Sequence, residues 1–147
     1  MRKFSWELLF GLAIAPLLGC SEPAGLAKDV RFDVVPASTQ SAPSIVSYRF
    51  VVKNEGDAVI WMPTCAQRVT PDIAIVVDGR TVDTLNGDTC FGLGDSSPLA
   101  LAPGTTYSGD RAIPAREGAR YEPSLVVARD RALTASARLQ SAVFSAP

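Results

Sequence analysis

Three cysteines, Cys20, Cys65 and Cys90, are the most reactive side chains in this sequence, and no histidine accompanies them. Without an imidazole, serine or cysteine nucleophiles that rely on a histidine base are excluded, as are the common zinc sites built on imidazole. A serine nucleophile with a lysine base would have to draw on Lys28, in a tether-like stretch, or on Lys53, at the end of an expected strand. Met62 and Cys65, joined by Cys90 if their loops meet, have the soft sulfur character of a copper site. An ordinary disulfide beside a buried methionine explains the same residues. Asn86, Asp88 and Asp95 could offer oxygen to calcium, yet their spacing fits no calcium loop, and a solvated acidic turn accounts for them. Acidic residues are scattered over the turns, and nothing selects a pair for glycoside chemistry. The expectation is therefore a protein that is not an enzyme and uses no cofactor or metal. Phe91, in the Gly-rich stretch FGLGDSS, is the aromatic expected at the surface, so Phe91, Asp88 and Asp95 make up the candidate contact loop.

The first of the cysteines closes a distinctive N-terminal stretch. Met1, Arg2 and Lys3 form a basic start, and Leu8 to Leu18 is an apolar run of eleven residues. Spanning a bilayer takes about 20, so the run suits a secretory signal. It ends in Leu17-Leu18-Gly19-Cys20, which resembles the lipobox of bacterial lipoproteins. That resemblance implies cleavage after Gly19 and acylation of Cys20. One acyl chain holds only marginally, at about 0.8 kcal/mol per buried methylene, so the two or three chains of such proteins make a durable anchor. With Cys20 assigned to lipid, Cys65 and Cys90 remain as a natural pair, and an oxidising compartment favours a disulfide over two buried thiols. Ser21 follows the lipidated position where an aspartate would resemble an inner-membrane retention signal. The resemblance then implies outer-membrane sorting in a host with two membranes.

Residues 1–19 are thus expected as signal peptide, 20–28 as lipidated cysteine and tether, and 29–147 as one domain. Losing Arg2, Lys3 and Glu7 from 14 basic and 15 acidic residues leaves 12 and 14, a slight negative excess with no basic patch. Nucleic acid is not an expected partner. A membrane through lipid, and an envelope protein or cell-wall component through the domain, are. Ser21 to Lys28, fully extended, reaches about 26 to 29 Å, which keeps the domain near the membrane surface.

Alternation of apolar and polar residues then sets the fold class. Ile45 to Met62 reads as two strands joined by a tight turn around Asn54 to Asp57, with Val46, Tyr48, Phe50 and Val52 on the core face and Val59 and Trp61 supplying the return strand's apolar face. Val30 to Val35 is a strand with Val30, Phe32 and Val34 inward. Asp72 to Val77, with Ile73, Ile75 and Val77 inward, leads through Asp78-Gly79 to Arg80–Leu85, a hairpin signal. Asn86-Gly87 marks another turn. Leu99 to Tyr107 follows, a short apolar run and a Pro-Gly turn that open a strand from about Thr106 to Ile113. Tyr121 to Ala128 is a strand with Leu125 and Val127 inward, and Pro123 places its start at an edge or bulge. Leu133 to Phe144 alternates as a strand, although its alanines also suit a helix. Seven or eight short strands with frequent turns predict an all-β chain, a β-sandwich or small barrel.

The pieces Tyr48-Arg-Phe-Val-Val-Lys-Asn54, Gly56-Asp57, Asp78-Gly79, Leu101-Ala-Pro-Gly104 and Tyr121 before Leu125 come in an order that resembles an immunoglobulin-like β-sandwich of bacterial surface type. It is similar to the intracellular proteinase inhibitor family of Bacillus over residues 29–145. The resemblance implies the sandwich, and it offers, as an alternative to a binding or structural module, an inhibitor of an extracytoplasmic protease acting through the segment from Ala66 to Phe91. None of the matching motifs carries an inhibitory residue. Tyr121 is read either as a core tyrosine or as a tyrosine corner, with its hydroxyl bonded back to the chain.

Overall fold

The computed structural model describes residues 25–37, 44–86 and 96–145. Two antiparallel sheets pack as a β-sandwich, in agreement with the fold class read from the sequence. The first sheet has the order β1 (Val30–Pro36), β2 (Ile45–Asn54), β7 (Thr106–Pro114). The second is built on β8 (Arg120–Ala128), with β4 (Asp72–Val77), β5 (Arg80–Leu85), β3 (Ile60–Met62) and β6 (Leu99–Leu101) completing its path. β9 (Ser136–Gln140) and β10 (Phe144–Ser145) also pair with β8. These ten strand segments exceed the expected seven or eight, because Leu133 to Phe144 breaks into β9 and β10 and the short Leu99–Leu101 run is paired in its own right.

β2 delivers Val46, Tyr48, Phe50 and Val52 to the core, as its alternation requires. The expected hairpin with the following strand does not form. β2 pairs with β1 and β7, whereas β3 pairs with β6 and β8, so residues 55–59 carry the chain from one sheet to the other. Asn54 fixes that crossing. Its side chain donates to Ala58 O and Leu101 O, each at 2.9 Å, and accepts from Gly56 N at 3.1 Å. The face of β3 is also displaced by one residue from the expected one: Ile60 and Met62 are buried, Val59 is 40% exposed and Trp61 half-buried. On β4 both Ile75 and Val76 are buried, and Val77, expected inward, is only partly buried against the core. Between Ile75 and Val76 the β4–β5 register shifts and leaves Val82 of β5 as the extra residue, a β-bulge on the neighbouring strand.

Pro123 sits in the middle of a central strand and not at an edge. Its carbonyl accepts from Ser141 N at 3.2 Å, on the side where β9 stops at Gln140 and β10 has yet to begin at Phe144. The N–H and C=O of a strand residue point the same way, so the donor that proline lacks falls in that gap. The tether reading also needs correction at its end. Residues Leu26–Asp29 form one helical turn, α1, and Leu26 is fully buried in the core. The domain therefore begins by Gly25.

Tyr121 forms the corner. Its hydroxyl accepts from Arg116 N at 3.0 Å and donates to Pro114 O at 3.3 Å, while its ring stacks on Phe144 with centroids 5.2 Å apart. Two backbone groups at the β7–β8 turn depend on that one oxygen. Tyr121→Phe is expected to cost about 2 kcal/mol in urea unfolding without a change in the unfolding slope, since the ring packing survives and the hydrogen bonds do not.

Candidate functional site

β3 and β4 lie end to end along one side of β8. Ser124 pairs with both β4 and β9, which therefore flank β8 on opposite sides; Ala128 pairs with both β9 and β3, so β3 shares the β4 side. Residues 63–71 interrupt what would otherwise be one continuous edge. Proline stands at both ends of this excursion, Pro63 and Pro71, where a missing donor ends pairing.

The excursion is anchored and its tip is displayed. Thr64 is buried and its hydroxyl donates to Ser97 O at 2.8 Å, Val69 is buried in the core, and Val69 N donates to the Tyr107 hydroxyl at 3.3 Å. Between them Cys65 and Arg68 exchange backbone bonds of 2.9 and 3.0 Å around Ala66 and Gln67. Both central residues have positive φ, 50° and 62°. A two-residue turn of this hand is normally made with glycine or asparagine, and a non-glycine residue there costs about 1–3 kcal/mol. Ala66, Gln67 and Arg68 are nevertheless exposed. The anchored stem holds the turn from below.

Beside the turn lies an open groove of about 490 Å³, lined by Phe50, Arg68, Val69, Tyr107, Gly109 and Arg111 among others. Phe50 and Tyr107 form its floor, with ring centroids 6.0 Å apart. Gly109 is opposite Phe50 in the ladder, and a Cβ on it would lie 2.7 Å from the Phe50 ring, so this close approach admits only glycine. Arg111 donates to Pro71 O at 2.6 Å and so ties β7 to the base of the excursion. Asp110, on the opposite face of β7, is occupied by a two-pronged contact with Arg49 at 2.8 and 3.0 Å. That contact holds the Asp110 carboxyl below its usual range, through the hydrogen bond with Arg49 first.

Tyr48 is fully buried beside this region, and no atom lies in hydrogen-bonding geometry with its hydroxyl among the described residues. Burial raises its pKa to about 12, opposed by the nearby Arg111 guanidinium. Between about pH 10, where an unfolded tyrosine ionises, and 12, the unfolded chain has released a proton that the folded chain keeps. Stability should fall across that window by up to about 1.4 kcal/mol per pH unit. Urea midpoints measured from pH 9 to pH 11.5 should show the slope in the parent and lose this part of it in Tyr48→Phe, which at neutral pH should be as stable as the parent or slightly more so.

The residues expected to do chemistry are placed as follows. Met62 is sealed in the core; Cys65 begins the displayed turn; Lys53 lies on the outer face of β2, 2.9 Å from Glu55; Lys28 is exposed on α1; Asn86 follows β5. Cys20, Cys90, Phe91, Asp88 and Asp95 lie outside the described residues. Among the described residues no group of three or more acidic, cysteine or histidine side chains could hold a metal, and no helix is long and apolar enough to cross a membrane. Arg68, Tyr107, Gly109 and Arg111 were not marked by any motif. The one signal pointing toward them is the pair of prolines around an otherwise strand-like stretch.

Neither a protein-family model nor a curated protein matches the chain. Its backbone is similar to those of solved structures, among them the following two. One is a Northeast Structural Genomics Consortium target solved by X-ray, at 16% identity and a TM-score of 0.55, covering 83% of this chain and 90% of the other. The other is a crystal structure of a Bordetella pertussis protein designated ApaA, at 17% identity and a TM-score of 0.57, covering 81% of this chain and 94% of that one. At such identities the likeness establishes the fold and nothing further.

Proposed function

We propose that this chain is a lipid-anchored, non-catalytic binding module of the bacterial envelope, with the Cys65–Arg68 turn and the adjoining groove as its contact face. The observation that carries the reading is the pair of positive φ angles at Ala66 and Gln67 in an exposed turn. Strain of this kind is costly and is retained mostly where a particular surface shape is needed. The alternative, a protease inhibitor acting through Ala66 to Phe91, has less support from the described part of that segment, because a cleft filled as by a substrate needs several residues of extended backbone and this turn closes on itself within four; residues 87–91 lie outside the described residues.

The anchor in this proposal is Cys20, on the strength of Leu17-Leu18-Gly19-Cys20. Six residue steps from Cys20 to the buried Leu26 reach about 20 Å, which would hold the domain against the membrane, outer-membrane in a host that has two. The Cys65 to Cys90 bridge belongs to the same proposal. Cys65 carries its sulfur in a disulfide, and Cys90 is the remaining partner once Cys20 is acylated. Closing a loop of about 26 residues would stabilise the fold by roughly 3 kcal/mol and pin the first residue of the turn. Intact mass on protein taken from its own membranes should give residues 20–147 with acyl chains and two protons gained on reduction. A mass without lipid, or no gain on reduction, removes the corresponding part of the proposal.

The contact face is tested by photocrosslinking in cells. A crosslinking residue at Gln67 should capture one envelope partner reproducibly, and the same residue at Glu117, in the exposed β7–β8 turn, should not. Equal capture from both sites, or none from either, refutes the assignment.

A further inference from the structure

We infer that the free edge of β7 receives an extended segment of a partner protein as an added strand, with an acidic side chain of that segment lying in the groove between Arg68 and Arg111. This rests on the binding-module reading and names the form of its partner. Asn54 N donates to Thr105 O at 3.0 Å and Ala115 N to Ser44 O at 2.8 Å, and the β2–β7 register runs without a shift from Ile45↔Pro114 to Lys53↔Thr106. In an antiparallel ladder, hydrogen-bonded pairs alternate with non-bonded ones. The odd-numbered residues of β7 therefore bond to β2. The N–H and C=O groups of Thr106, Ser108, Asp110 and Ala112 point the other way, off the edge of the sheet. β7 is the terminal strand of its sheet, and no described residue bonds to these groups.

Proteins usually blunt such an edge with proline, a bulge, lysine or a cover. Here β7 has no bulge, no lysine, and proline only at its last position, and its two charged residues are already engaged, Asp110 by Arg49 and Arg111 by Pro71 O. The opposite edge of the same sheet is treated differently, since Val34 N on β1 donates to Ser141 Oγ at 2.8 Å. Among the described residues this edge stays open for a run of nine residues beside a groove, the arrangement that strand addition uses.

The chemistry of the groove specifies the occupant. On an added strand, the residue opposite Gly109 points toward the same face as Gly109, into the groove. Glycine leaves room there. Arg68 is exposed and Arg111 half-buried, and neither forms an ion pair among the described residues. Asp110 turns to the other face, where Arg49 neutralises it. The groove is thus positive, with an aromatic floor of Phe50 and Tyr107, which suits the aliphatic stem and carboxylate of a glutamate.

The test uses the lipid-free mature chain, labelled with ¹⁵N, and a capped heptapeptide of alternating threonine and valine with glutamate at its centre. Millimolar peptide should shift the amide signals of Thr106, Ser108, Asp110 and Ala112 and slow their hydrogen exchange, while Tyr107, Gly109 and Arg111, already bonded to β2, keep their exchange rates. A central lysine should weaken binding by about tenfold, and Arg68→Ala should remove most of that preference. Ser108→Pro deletes an outward donor that β2 does not use, so it should abolish binding and leave the thermal midpoint nearly unchanged. Absence of added protection, binding indifferent to the central charge, or protection that grows with protein concentration alone and accompanies a dimer in sedimentation, each overturns the inference. If Gln67 still captures its partner in cells carrying Ser108→Pro, the binding module stands and strand addition falls.

Discussion

Asn54→Asp is expected to destabilise the domain by about 3–5 kcal/mol at neutral pH, although the two side chains have the same shape. Asn54 is 0% exposed and every polar group it owns is engaged. Its backbone N–H and C=O reach Thr105 O and Gly104 N at 3.0 and 2.8 Å, its amide nitrogen gives both hydrogens to Ala58 O and Leu101 O, and its amide oxygen takes Gly56 N. The residue thereby holds two inter-sheet crossings at once: residues 55–59, which lead to β3, and the Pro103-Gly104 turn, which leads from β6 to β7. An aspartate would point a carboxylate at two carbonyl oxygens in the core. That arrangement disfavours the charged form, so the folded-state pKa of the new group must lie above its unfolded value near 3.9. A carboxyl shifted upward binds a proton in the folded state at pH values where the unfolded chain has lost it. The penalty is therefore full above the folded pKa and shrinks as pH falls through it. Urea unfolding at pH 7 and pH 4.5 should show the deficit relative to the parent narrowing at the lower pH. Asn54→Ala, which leaves the same carbonyls unpaired without adding charge, should show a deficit independent of pH. An aspartate variant as stable as the parent at pH 7 would mean that the two crossings do not depend on this amide.

The same residue shows what was legible in the sequence. Alternation over Ile45 to Val52 placed β2 and its core face correctly, because a strand with one wet side repeats every two residues. The run Asn54-Glu-Gly-Asp also bends the chain, as its composition suggests. What composition does not contain is the destination of the bend, since a turn within one sheet and a crossing between two use the same residues. The phase of β3 was lost for a related reason: Val59-Ile60-Trp61-Met62 is apolar throughout, so no polar residue marks the outer face. The Asp78-Gly79 turn was readable because its positive φ angles, 50° and 75°, demand those residue types. The displayed turn escaped notice because Ala66 and Gln67 are held at positive φ by their surroundings and not by their own preference. The groove is further still from the local pattern, bringing Phe50, Arg68 and Arg111 together from three separate stretches.

Leu26→Ala is expected to cost about 3–5 kcal/mol, although the residue precedes the first strand and sits in a stretch with the composition of a linker. The side chain is 0% exposed and belongs to the main core cluster. Its single helical turn is held in place by several independent contacts. Asp29 O accepts from Glu55 N at 2.7 Å, the Asp29 carboxylate pairs with Arg129, and Gly56 passes so close to Asp29 that a Cβ there would lie 2.8 Å from the Asp29 Cβ. Because these contacts survive the substitution, the segment should stay docked over the cavity left by the leucine. The loss would then include the cavity term as well as the transfer of the side chain. Chemical unfolding of the mature domain checks the magnitude. A domain started at Val30 should be less stable still, since it also loses the Asp29–Arg129 pair and the partner of Glu55 N. If Leu26→Ala unfolds with the parent's midpoint, the segment is a tether after all, and the distance from Cys20 to the folded domain becomes correspondingly longer. If it behaves as expected, the folded domain starts by Leu26, and in the lipid-anchored reading proposed above five residues, 21–25, separate Cys20 from it.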